Sequence, residues 1–180
     1  MSSTPIQVYD AKWSGLLSPR HVITSEGAPV GVLEVKRQRG LIVGGEFRPE
    51  KGEVLFIRRD PGLARSQFSL WTDGREWLGS SLRWTSFARE VAISNGNKPF
   101  RLLPVEGWGF GWSLYAPKSG ENARIVAQPL RGTARLEVYR RLDFPLLLFS
   151  YFLGAQILWE SFLPGPEPEK VKSSAAATAV

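Results

Sequence analysis

The sequence predicts a mainly β protein: one antiparallel β domain closed off by a single, very apolar helix near the C-terminus. Three observations carry this. From His21 to Arg140 short apolar or alternating runs are cut by turn residues, the pattern of a sheet. From Leu146 to Leu163 the chain is almost unbroken in apolar residues. The length of 180 residues with 43% apolar content suits one domain with a substantial core.

In order, the expected strands are Val30–Arg37, Leu41–Phe47, Glu53–Arg59, Gln67–Thr72, Trp77–Arg83, Glu90–Ser94, Phe100–Val105, Trp112–Ala116, Arg124–Pro129 and Thr133–Arg140. Asp73-Gly74 and Asn95-Gly96 can supply the positive φ angles of tight hairpins. Pro49–Gly52 and Lys118–Asn122 carry the composition of longer turns. Consecutive strands are therefore expected to be antiparallel neighbours. In the last one Ala134, Leu136 and Val138 share a face opposite Arg135, Glu137 and Tyr139, so one side of the sheet is dry and needs a cover.

The helix is that cover. Asp143 suits the N-cap, Pro145 sits where its missing N–H costs nothing, and Pro164-Gly165-Pro166 ends the run. From Phe144 to Leu163 it would span roughly 30 Å, the length of a small barrel or of a bilayer core. Gln156 and Glu160 are costly in lipid and can be satisfied in protein. Residues 1–9 are expected to be flexible, 10–163 to form the domain with its helix over 143–163, and 164–180 to be a disordered tail.

Roughly ten strands followed by one wholly apolar helix is an unusual order, and here the chain resembles the Tubby C-terminal-like superfamily, which includes LURP-one-related proteins and phospholipid scramblases. The resemblance rests on Leu16-Leu17-Ser18-Pro19-Arg20-His21, on Gly109-Phe110-Gly111-Trp112-Ser113-Leu114-Tyr115 with the turn Ser119-Gly120, and on the exit from Leu142 to Phe152. It implies a closed antiparallel β-barrel of about 12 strands wrapped around the helix, acting as a lipid-binding or scaffolding domain. No residue set matches a phosphoinositide or calcium site of that family, and the lack of cysteine excludes the lipidation of eukaryotic scramblases, so no family site is carried over. On a barrel, Gly107, Gly109 and Gly111 would offer a bare strand face to the helix while Trp108, Phe110 and Trp112 face away. Ser150 and Gly154 would give the helix a small-residue patch.

The absence of cysteine also excludes disulfides, zinc–thiolate sites, iron–sulfur clusters and thiol nucleophiles. With one histidine, a triad would have to be built on His21 with, for example, Ser18 or Ser25 and Asp10; a surface or capping histidine is the plainer expectation. Asp60, Asp73, Glu76 and Glu90 lie singly, without calcium-loop spacing, and a hydrolase with carboxylates paired across strands stays open. No cofactor and no metal are expected. The glycines of Gly107–Gly111 lack the following helix of a phosphate loop.

Two binding features remain. The net charge of +6 favours an acidic partner, and Lys36, Arg37, Arg39, Arg58, Arg59, Arg140 and Arg141 form a candidate patch for anionic phospholipid. Seven tryptophans are many for this length, and Trp71, Trp77 and Trp84 flank neighbouring hairpins where one or two exposed rings are expected. A protein partner stays open; nucleic acid is disfavoured for want of a reader motif. The expectation is a monomeric, non-enzymatic, cytoplasmic domain, peripheral at the membrane. The alternative is a protein anchored through 144–163, with Arg140-Arg141 holding the β domain in the cytoplasm.

Overall fold

In the computed structural model, residues 4–14, 20–38, 41–60, 67–82, 90–105 and 110–156 are described. Twelve strands run up and down, each hydrogen-bonded to its sequence neighbours, and the first pairs with the last to close the barrel. They are β1 (Gln7–Lys12), β2 (Arg20–Ser25), β3 (Ala28–Gln38), β4 (Leu41–Pro49), β5 (Leu55–Arg59), β6 (Phe68–Thr72), β7 (Trp77–Leu82), β8 (Val91–Ser94), β9 (Pro99–Pro104), β10 (Gly111–Ala116), β11 (Gly120–Gln128) and β12 (Thr133–Val138). Closure leaves no unpaired edge to recruit another chain.

The expected strands correspond in order to β3 through β12. Two more, β1 and β2, complete the ring. The barrel starts at Gln7, inside the segment expected to be flexible: Gln7 faces Val138, Lys12 faces Thr133, and Tyr9 and Ala11 point into the core. So short an alternation, with only Tyr9 and Ala11 buried on β1 and His21 and Ile23 on β2, is weak as a local pattern. It becomes strands because β12 and β3 offer it partners.

At two hairpins the local chemistry explains the turn. Gly96 takes φ +83 in the Asn95-Gly96 hairpin. At Asp73-Gly74 the positive φ, 65°, falls instead on Arg75, held there because the Thr72 carbonyl accepts the Arg75 N–H and the Thr72 hydroxyl accepts the Glu76 N–H.

The helix α1 (Phe144–Gln156) runs for thirteen residues, about 20 Å. The Asp143 carbonyl accepts the N–H groups of Leu146 and Leu147, both at 3.1 Å. From Leu146 to Leu153 no residue is more than 4% exposed, so every face of the helix is covered. Its partners come from all round the wall: Phe144 packs on Tyr9 and Phe47, Tyr151 on His21, Phe152 on Phe68, and Gly154 on Trp112. The helix therefore threads the barrel. It enters at the near rim, which carries the β2–β3, β4–β5, β6–β7, β8–β9 and β10–β11 turns, and points toward the far rim.

The expected packing of bare strand glycines on the helix is reversed. Trp112 points inward and is buried, while Gly111 pairs with Val126 on the outer side. The clearance is on the helix: a Cβ at Gly154 would lie 2.8 Å from Trp112 Cδ1. A wall glycine, Gly45, gives similar room to the ring of Phe152. Ser150 is satisfied within its own turn, its hydroxyl donating to the Leu146 carbonyl at 2.8 Å. Gly107, Gly109 and positions 157–180 lie outside the described residues. Among the described residues no helix is long and apolar enough to cross a membrane. The described part of the apolar run is enclosed by protein.

Candidate functional site: a cationic far rim

Strand direction sorts the candidate cations. Because the chain runs up and down, the ends of β3 and β5 and the starts of β2 and β4 share the far rim, whereas β12 ends at the near rim. Lys36, Gly44 and Arg58 lie in one row across β3, β4 and β5, and Arg37 pairs with Ile42 just beyond. Arg58 and Arg37 are exposed, and Arg59 turns toward the β3–β4 hairpin, its guanidinium 3.5 Å from the Ile42 carbonyl. The structure thus brings Lys36, Arg37, Arg58 and Arg59 together. Arg140 and Arg141 emerge exposed at the opposite, near rim, and Arg39 lies outside the described residues.

Lys36 is held in an ion pair. Its ammonium donates to Glu46 at 2.6 Å, and Arg48 Nε donates to the other carboxylate oxygen at 2.8 Å. Held first by Lys36 and then by Arg48, the Glu46 carboxyl lies below the usual carboxylate range. Lys36 is thereby ion-paired, and Arg37 and Arg58 are exposed beside it.

Three cations absent from the expected set join the far rim: Lys12 at the end of β1, Arg20 at the start of β2, and Arg131 in the β11–β12 turn, all exposed. Lys12 and Arg20 carry no signal in the sequence, because the short alternation of β1 and β2 is weak as a local pattern. Carboxylates toward this rim, among the described residues, include Glu34, which lies across from Arg20, Asp60, which accepts the Ser69 hydroxyl at 2.8 Å, and Glu90, which is bidentate with Arg101. The near rim instead mixes Lys51, Arg75, Lys98, Lys118, Arg140 and Arg141 with Glu26, Glu50, Glu53, Asp73, Glu76 and Asp143.

Outside the wall, across β2, β1, β12 and β11, an open depression of about 890 Å³ reaches the far rim. Lys12, Arg20 and Arg135 stand around it together with Asp10 and Glu137, the latter ion-paired with Arg135 at 3.3 Å, and Trp13, Val22 and Val126 supply apolar surface.

The other candidates do not assemble. His21 is a core residue, 6% exposed, with Nδ1 2.6 Å from the Tyr151 hydroxyl, rather than a surface or capping histidine. Asp10 is on the outer face, Ser25 donates to the Val8 carbonyl, and Ser18 lies outside the described residues, so no triad forms around His21. Asp73 and Glu76 share a near-rim turn, away from Asp60 and Glu90. Among the described residues no three histidine or carboxylate side chains are grouped to hold a metal. Trp77 is 38% exposed above the Gly96 turn, Trp71 is half-buried with its indole N–H on Ser69, and Trp84 lies outside the described residues.

The fold is similar to that of an Arabidopsis thaliana protein, AT5G01750, solved by X-ray crystallography. The TM-score is 0.54 with 16% identity, over 86% of this chain and 92% of that one. At such identity the likeness shows the architecture alone. No family model matches the chain, and no curated protein matches it.

Proposed function

We propose that this chain is a non-catalytic binding domain that sets its far rim on an anionic phospholipid surface at the cytoplasmic face of a membrane. The observation that carries the reading is the segregation of charge by strand direction: Arg20, Arg37, Arg58, Arg59 and Arg131 gather at one end, while the other end mixes both signs. The closed barrel around an apolar helix, in the order that resembles the Tubby C-terminal-like superfamily with its LURP-one-related and scramblase members, supports it.

Each basic residue near an anionic surface contributes about 1 kcal/mol. Replacing Arg37, Arg58 and Arg59 together should therefore weaken binding about a hundredfold. Sedimentation with phosphatidylserine vesicles tests this. Wild-type protein is expected to bind these and not phosphatidylcholine vesicles, with affinity falling as salt shortens the screening length. Replacing Arg140 and Arg141 should have much the smaller effect. Binding that ignores salt, or that survives loss of the three far-rim arginines, overturns the proposal.

A further inference from the structure

We infer that Leu130, at the tip of the β11–β12 turn, enters the hydrocarbon edge of the surface that the far rim meets. This rests on the phospholipid reading above and adds a depth and an orientation to it. Leu130 is 96% exposed, the most exposed of the large apolar side chains among the described residues. A single exposed leucine is ordinary in itself; its placement and its support are what give this one meaning.

The turn that presents it is braced on both sides. Pro129 is buried and leads into a single 3₁₀ turn, Pro129–Arg131. Gly132 closes it at φ +63, its N–H donating to the Pro129 carbonyl at 3.1 Å. The Gly132 carbonyl accepts the Trp13 N–H at 2.8 Å, and a Cβ at 132 would fall on the Trp13 carbonyl, so only glycine lets the turn sit this close to the end of β1. The backbone is pinned while the leucine projects. Arg131 follows directly, Arg20 and Lys12 stand on the neighbouring strands, and the open depression lies beside the turn.

An apolar tip beside cations matches the two contributions that hold a peripheral protein at a bilayer, buried apolar area and attraction to anionic lipid. A protein partner would also bury a leucine, but it would not require the surrounding rim to be basic. The charge complementarity therefore favours lipid.

The chain has no cysteine, so Leu130→Cys and Ile6→Cys each accept one environment-sensitive nitrobenzoxadiazole label. Ile6, 64% exposed beside the near rim, is the control. With phosphatidylserine vesicles, emission at position 130 should rise, shift to the blue and be quenched by acyl-chain spin labels, while position 6 stays unchanged. Unlabelled Leu130→Ser should melt like the wild type and bind about tenfold more weakly, from the transfer free energy of a leucine side chain. If the protein sediments with vesicles while the label at 130 stays in water, the insertion is overturned and the phospholipid reading stands. If no sedimentation occurs, both fall.

Discussion

The Tyr151 hydroxyl lies 2.6 Å from His21 Nδ1, joining the middle of the helix to β2 across the interior of the barrel. Both residues are buried, and the Trp13 ring stacks on the imidazole with centroids 5.2 Å apart and planes at 21°. Among the largely apolar contacts between helix and wall this bond has a direction, so it favours one rotation and depth of the helix. Tyr151→Phe should cost about 1–2 kcal/mol in urea unfolding, the worth of a buried hydrogen bond. Tyr151→Ala should cost about 3–5 kcal/mol by adding a cavity. A Phe variant as stable as the wild type would show that the bond contributes nothing net.

Alkaline pH should act through the same tyrosine. Burial raises the Tyr151 pKa far above its ordinary value, and burial with the Glu137 hydrogen bond pushes Tyr139 up to about 12. The unfolded chain loses these protons near pH 10, before the folded one does. The stability they contribute is thus fully present below about pH 10 and lost as pH rises toward the folded values. The urea midpoint should stay level up to that point and then fall. Lysines also titrate there, so the informative comparison is Tyr151→Phe, whose midpoint should fall less steeply; an identical slope would contradict the assignment.

Gly154→Ala sets two effects against each other. Alanine should gain about 1 kcal/mol of helix propensity. Its methyl would meet the Trp112 ring 2.8 Å away in a packed core, and overpacking costs about 1–3 kcal/mol. Packing should win, and the variant should melt at a lower temperature. In a Trp112→Phe background the penalty should shrink, a coupling that a double-mutant cycle measures. Trp112→Phe also removes a buried indole N–H that has no hydrogen-bond partner among the described residues, which offsets part of the lost ring volume.

Ending the chain at Arg141 should leave Tyr9, Phe47, Phe68 and Trp112 facing an empty interior, because each packs on the helix or on its first turn. Expressed without detergent, the full chain should be soluble and monomeric, and the shortened one should aggregate. A folded, soluble chain ending at Arg141 would mean that the helix is not the core.

What the sequence determined by itself was local. Alternation in β12, the run of apolar residues after Asp143 and the turn glycines are patterns within a few residues, and such patterns report which elements form and which faces are dry. Tertiary structure decided everything that depends on partners far along the chain. Gln7–Lys12 is a strand because Thr133–Val138 lies beside it, and His21 is a core residue because Tyr151 reaches it from the helix. Trp112 faces in because Gly154 leaves room for it. The candidate site shows the same division. Clusters such as Arg58-Arg59 and Arg140-Arg141 look alike in the sequence, and strand direction around a closed barrel puts them at opposite ends. Lys12, Arg20 and Arg131, scattered in sequence, are carried by that same closure to the rim that Arg58 occupies, since the attraction of a surface depends on where charges meet in space and not on their order in the chain.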